Sequence, residues 1–563
     1  MLVILICWSY IFFTSISFGY VLHRVWKIQT QNIALISFSG LFVITLSASI
    51  WAIFGRINIE FQLFFLLSNS IIWFKNFKPL TEISKSIYID IQNLTKTTKL
   101  FLGLFSILIL AQSANVPTLP DNDSYYIQTI KWLNEYGFVT GLANLHLFLG
   151  QTSAWHITQS VYNFSFLYDN FNDLNGYILL LGNFWAFQKL HSYTKNQKKI
   201  DLAFGLLPIS YLILFQFISS PSPDLPIYIF SLILIDLFLN KDENKVRNHF
   251  LLMVFISLFL LFIKITASIL FLFPIILLFQ DYNSLKNSLP KVTILSGFVF
   301  IIWTIKNCII TGYPLYPVST FTIFNFTHQV PKNVLDYFFS SDMMHSFYVP
   351  FGIYSEISLW YQLKLYLFHN GIEGYLALGT LLLVIITPFL IHKQTKKKQL
   401  LLVYVIFLCL LILLWMSSPQ IRFYLYFVIF FGLLTIAYLI KDNLISILFF
   451  ANGLLLFLLL FVPIEFSQWT NDGILAKNKT LGIHSVILPK TSHEIHFKKV
   501  QKGNLEYFTP VDTQSFWITG NGNLPCVNEE QIDYFETHFN IIPQLRTINL
   551  KDGFYSKTIS SNE

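Results

Sequence analysis

The chain has 563 residues, of which 54% are apolar and only 12% charged, with a mean hydropathy of +0.57 and a formal charge of +7. Soluble domains carry about 25% charged residues, so this composition excludes a string of soluble domains and marks a polytopic membrane protein. The positive charge clusters in short loops, a topology signal rather than a nucleic-acid surface. Four scattered cysteines, Cys7, Cys308, Cys409 and Cys526, outline neither a disulfide framework nor a metal-ligand spacing.

The first apolar segment, 2–22, lacks a basic leader and has its positive charges, Arg24 and Lys27, behind it, so it reads as a span with its N-terminus outside rather than a cleaved signal. Apolar stretches follow at 33–55, 58–74, 100–115, 174–190, 201–219, 224–240, 249–263, 266–280, 292–311, 372–391, 400–416, 420–440 and 443–462, for about 14 spans in all, several near the minimum crossing length. Strict alternation of these spans puts four basic loops on one side: Lys75 to Lys99, Lys195 to Lys199, Lys241 to Arg247 and Lys393 to Lys398. The positive-inside rule makes that side cytoplasmic and sends 116–173, 312–371 and everything beyond 462 to the outer face. The expected architecture is an all-α polytopic membrane protein. N-terminal spans and a cytoplasmic loop occupy 1–99, a transmembrane core 100–462, and a small extracytoplasmic α/β domain 463–563.

Chemistry-bearing residues gather where spans meet the outer face. Asp121-Asn122-Asp123-Ser124-Tyr125-Tyr126 follows the apolar helix at 100–114 directly. Two carboxylates there can serve as a general base, or one can cap the helix that follows. Asn144 precedes, and His146, Trp155 and His156 belong to, a polar-studded apolar segment, 145–165, which suits a helix lying in the interface better than one crossing lipid. His146 and His156 are ten residues apart, no zinc spacing, and either line a site or sit satisfied in a core. Further along, Asp224 starts a span after Ser220-Pro-Ser-Pro, and Lys264 and Lys306 stand near span ends. Both lysines fit either a phosphate contact or simple snorkelling to water. Arg422, in Ser417-Ser-Pro-Gln-Ile-Arg-Phe-Tyr, lies on the side that basic residues avoid, and its planar fork matches a phosphate. The loop 313–371, with Met343-Met344-His345 and Trp360-Tyr361, is a candidate lid, or aromatic packing at the interface. In the tail, Asn471-Asp-Gly and Gly520-Asn-Gly-Asn punctuate short alternating runs, and Cys526 reads as an unpaired thiol.

Taken together, Asp121-Asn-Asp-Ser-Tyr-Tyr with Trp132-Leu-Asn, Thr311-Gly-Tyr-Pro-Leu-Tyr-Pro after Lys306-Asn, and Pro419-Gln-Ile-Arg-Phe resemble the GT-C type integral membrane glycosyltransferases over roughly 100–460. That superfamily includes protein O-mannosyltransferases, the aminoarabinose transferases of lipid A and oligosaccharyltransferases. The resemblance implies a sugar moved from a polyprenyl-phosphate donor to a glycan, lipid or protein acceptor at the outer face of the cytoplasmic membrane. It also implies inversion at the anomeric carbon, with no cofactor or nucleic acid and, in many members, no metal. It assigns Asp123, or secondly Asp121, as base and Arg422, Lys264 and Lys306 to the donor phosphate. Tyr125, Tyr126, Asn144, His146, Trp155, His156 and Asp224 are left to bind substrate.

Two other readings remain open. A polysaccharide polymerase or ligase would share the spans and large outer loop, but would favour basic residues there. A transporter would place its ionisable groups mid-membrane, often within an internal repeat. No nucleotide-binding glycine loop or Ser-His-Asp signature is visible.

Overall fold

The computed structural model describes residues 1–169, 171, 173–242, 245–322, 324–346, 358–369, 371–392, 397–465, 480–511 and 516–559, without the side chains of 342–346. Among the described residues, seven helices are long and apolar enough to cross a membrane: Leu2–Trp26, Ile33–Phe54, Val246–Ile263, Tyr282–Thr311, Ile372–His392, Lys397–Trp415 and Asp442–Phe461. The remaining apolar stretches are helical too, but shorter, less apolar or broken: Ile59–Lys75, Lys96–Ser113, Leu174–Asn196, Asp224–Leu239, Ile265–Gln280 and Leu425–Leu439. Every residue of Asp224–Leu239 is buried. Its 16 residues rise about 24 Å, short of a hydrocarbon core of about 30 Å, and other helices enclose it.

The first two helices pack backbone to backbone. A Cβ at Gly19 would collide with the Ile36 carbonyl, and one at Gly40 with the Ser15 carbonyl, so only glycine permits this approach. The stretch expected to span at 201–219 is instead interrupted. Lys199–Gly205 ends and Leu207–Phe217 leaves at 41°, because Pro208 cannot donate to the helical ladder. Asn452 donates to the Pro208 carbonyl at 2.8 Å, and Tyr211 donates to Asn183 at 2.9 Å, which satisfies polar groups the break leaves inside. Within the basic stretch 75–99 lies an amphipathic helix, Phe77–Asn93.

The 145–165 segment is not a single helix of membrane-crossing length. It forms a 3₁₀ turn, Leu147–Gln151, and a nine-residue helix, Ala154–Tyr162, about 14 Å long. All nine helical residues are buried, so this helix packs inside the protein instead of lying on lipid. Of the candidate lid, helices Lys332–Ser346 and Leu359–Leu367 are described; the side chains of Met343, Met344 and His345 and residues 347–357 lie outside the described residues. So does the Asn471-Asp-Gly turn.

The tail is a small α/β region. Phe497–Lys502 pairs antiparallel with Leu505–Pro510, and Ile541–Leu545 with Phe554–Thr558, with the helix Glu529–Phe539 between the two hairpins in sequence. It docks on the segment after Asp121: Phe554 N donates to Thr140 O at 2.9 Å, Ser556 Oγ to Asn144 Oδ1 at 2.7 Å, and Gln128 Nε2 to the Gly520 and Gly522 carbonyls at 3.1 and 2.9 Å.

Candidate functional site

Asn122–Tyr126 forms a π-helical turn, with Ile127 N bonded to Asn122 O, before continuing as the helix Ile127–Glu135. Such wide turns recur at functional sites because they re-aim side chains that a regular helix would place elsewhere. Here the turn separates the acidic pair. Residues two apart on a helical turn do not face each other, and Asp121 and Asp123 find different partners.

Asp121 meets Arg422. Arg422 Nη1 donates to Asp121 Oδ2 at 2.7 Å, Tyr126 Oη donates to the same oxygen at 3.2 Å, and Arg422 Nε donates to Gln420 Oε1 at 2.6 Å. Tyr228 holds the arginine's backbone, its Oη bonding the Arg422 carbonyl at 2.9 Å. Burial works to raise the Asp121 carboxyl, but the Arg422 guanidinium, helped by Lys264, outweighs it and holds the acid below its ordinary value.

A second ion pair lies beside the first. Lys264 Nζ is 2.5 Å from Asp224 Oδ1 and 4.3 Å from the centre of the Phe423 ring, whose other neighbour is the Arg422 guanidinium at 5.3 Å. Lys264 caps the end of Val246–Ile263, and Asp224 occupies the first turn of its helix, where the dipole favours a carboxylate. Two acids and two bases thus converge from four helix ends.

Behind them, Ser153 Oγ bonds the Ile263 carbonyl at 2.7 Å and caps the helix that carries His156. Lys306 is buried and donates to the Thr152 carbonyl. His156 packs against Tyr126 with ring centres 4.8 Å apart. Its Nδ1 accepts from Ser153 N, while its Nε2 is buried without a hydrogen-bond partner. Burial, reinforced by the charge of Lys306, pushes the His156 imidazole down to about 3, so the ring is neutral. Among the described residues, a buried ring nitrogen with no partner and a lysine bonded to one carbonyl leave unused hydrogen-bonding capacity behind the two ion pairs.

Asp123 turns the other way, toward the tail. Its carboxylate is only 5% exposed and lies 2.5 Å from His493 Nδ1, while its backbone carbonyl accepts from Thr519 N at 2.8 Å and Gly520 N at 2.6 Å. His493 is the residue the sequence reading missed. It stands in Thr491-Ser-His-Glu-Ile-His, a polar run whose one signal is a pair of titratable rings three residues apart.

The remaining candidates are dispersed. Tyr125 stacks on Phe148 at 5.1 Å and borders Tyr126 at 4.7 Å, within the site. Asn144 bridges to the tail through Ser556 and to the His328 carbonyl at 2.8 Å, a structural post. His146 is buried against Trp517, Nε2 to carbonyl 3.3 Å, and burial pushes it down to about 4. Trp155 donates to Asn175 Oδ1 at 2.6 Å inside the core. Cys526 is buried 3.3 Å from the Thr519 carbonyl, and burial pushes its thiol up to about 12, which suits packing rather than nucleophilic work. No group of three or more metal-ligating side chains occurs among the described residues.

The chain belongs to a family described as a domain of unknown function (DUF8201), which matches residues 1–429 and so includes Asp121, Asp224, Lys264, Lys306 and Arg422 but not the tail. No curated protein and no solved structure matches it.

Proposed function

We propose that this DUF8201 member is a GT-C type membrane glycosyltransferase, moving a hexosyl or pentosyl group from a polyprenyl-phosphate donor to a glycan, lipid or protein acceptor. In this reading about 14 segments cross the cytoplasmic membrane. The acidic turn and the tail lie on the extracytoplasmic side. The observation that carries it is the Arg422–Asp121 pair at 2.7 Å, built from residues 301 apart and flanked by the Lys264–Asp224 pair.

The chemistry follows from the charges. Arg422 exchanges its bond to Asp121 for two parallel bonds to the donor phosphate, and Lys264 and Lys306 add charge as the phosphate departs. The prenyl tail lies along the apolar helices. The acceptor hydroxyl loses its proton to the acidic turn as its oxygen attacks the anomeric carbon from the face opposite the phosphate, giving inversion. Asp123 serves the base side, since its carboxylate is bonded to His493 and not to the arginine that takes the phosphate.

The test is genetic and chemical together. A strain lacking the protein accumulates a polyprenyl-phosphate sugar detectable by mass spectrometry, and the native gene, but not Arg422→Ala, clears it. A deletion strain whose lipid-linked sugars match the parent's would sink the proposal.

A further inference from the structure

We infer that the atom receiving the acceptor's proton is Nε2 of His493, with Asp123 acting behind it as the group that orients the ring. The inference rests on the glycosyl-transfer reading above and makes its base specific.

The order of exposure carries the argument. The Asp123 side chain is 5% exposed and that of His493 28%, with Oδ2 and Nδ1 2.5 Å apart, so a water-borne acceptor meets the imidazole before the carboxylate. With Nδ1 donating to Asp123, the neutral ring carries its lone pair on Nε2, which makes no hydrogen bond among the described residues. The Asp123 backbone is anchored, its carbonyl accepting from Thr519 N and Gly520 N, and Asn122 Nδ2 lies 3.3 Å from its other carboxylate oxygen. A base whose second nitrogen is fixed by a buried carboxylate has the organisation that activates hydroxyl groups elsewhere in enzymology. Arg422 pairs with Asp121, two residues before Asp123, so proton and phosphate are received by different groups.

In the step, the acceptor O–H bond breaks toward Nε2 while the acceptor oxygen bonds the anomeric carbon. The carbon–oxygen bond to the phosphate breaks with its electron pair going to the phosphate. The imidazolium is balanced by the Asp123 carboxylate until the proton passes to water after product release.

The test uses the full chain in native membranes, supplied with synthetic polyprenyl-phosphate hexoses and pentoses and a cell-envelope acceptor extract, reading release of polyprenyl phosphate. His493→Ala is expected to lower kcat about 10²- to 10⁴-fold with little change in donor KM, and added imidazole to restore part of the rate. Asp123→Asn is expected to lower kcat without responding to imidazole. Native-like turnover by His493→Ala, or a loss that imidazole does not relieve, overturns the inference and leaves the transfer reading intact. A native protein that releases no polyprenyl phosphate from any donor overturns both.

Discussion

The helix Asp224–Leu239 carries an aspartate near each end, and the two ends make an instructive pair. At the far end, Asp236 is bonded by Lys189 at 2.6 Å and Asn240 at 2.7 Å, and Lys189 also lies 3.9 Å from Asp201. At the site end, Asp224 pairs with Lys264, and the neighbouring Asp121 with Arg422. Side-chain exposure is similar, 20% for Lys189 and 21% for Lys264. Burial and ion pairing therefore do not by themselves identify a site. What differs is the surroundings: Asp236 faces the negative end of its helix dipole and uses its donors as compensation, whereas Asp224 is already favoured by the dipole. Beside the site pairs stand Lys306 and His156, whose Nε2 is buried without a partner among the described residues; an unpartnered ring alone does not mark the site, because both ring nitrogens of His191, two residues from Lys189, are buried without partners as well.

The widest separation between the two ends should appear in activity. Arg422→Ala is expected to cut transfer about 10³-fold, and Arg422→Lys to recover little of it, because an ammonium cannot reproduce the two-pronged phosphate bond. The measurement is release of polyprenyl phosphate normalised to folded protein.

At the far end the same kind of change should touch stability alone. Lys189→Met strands Asp236 and Asp201 and is expected to cost about 3 kcal/mol in a denaturant titration, with turnover per folded molecule retained. The double variant Lys189→Met with Asp236→Leu should recover much of that loss. A Lys189→Met protein that is stable but inactive would erase the distinction between the ends.

The seam between the tail and the acidic turn adds a pH signature. His146 is pushed down to about 4, so between that value and the ordinary 6.5 the unfolded chain binds more protons than the folded one. Stability contributed by the neutral ring is full above pH 6.5 and declines as pH falls toward 4. Between pH 7 and pH 5 the share of the loss due to His146 should be about 2 kcal/mol, and His146→Gln should remove that share in thermal melts while leaving the similar share of His156. Asp121, held below its ordinary value by Arg422, has the opposite window: its contribution is present above the ordinary carboxylate range and is lost only as pH falls below it.

The smallest effect concerns docking of the tail. Ser556→Ala removes the bond to Asn144 and is expected to cost about 1 kcal/mol, seen as faster hydrogen exchange in Phe554–Thr558 without a change in the helices.

Much of the architecture was legible in local sequence. Apolar runs announced helices, the return of charge after 462 announced the α/β tail, and Asp121 to Tyr126, Asp224, Lys264 and Arg422 all stood at helix ends. The break at Pro208 was hidden by hydropathy, which does not register a missing amide hydrogen. The burial of Ala154–Tyr162 was hidden because a polar-studded apolar helix has the same pattern whether its neighbour is lipid or protein.

The sequence by itself determined a membrane protein of many helices, with acids and bases at their ends, because apolar length and charge placement are properties of short windows. Which acid meets which base was decided only by tertiary structure: Asp121 joined Arg422, Asp224 joined Lys264, and Asp123 joined a histidine 370 residues away. Coulombic attraction carries no address along a chain. Helix ends brought together by packing, and a π turn that splits two neighbouring carboxylates, supply the address instead.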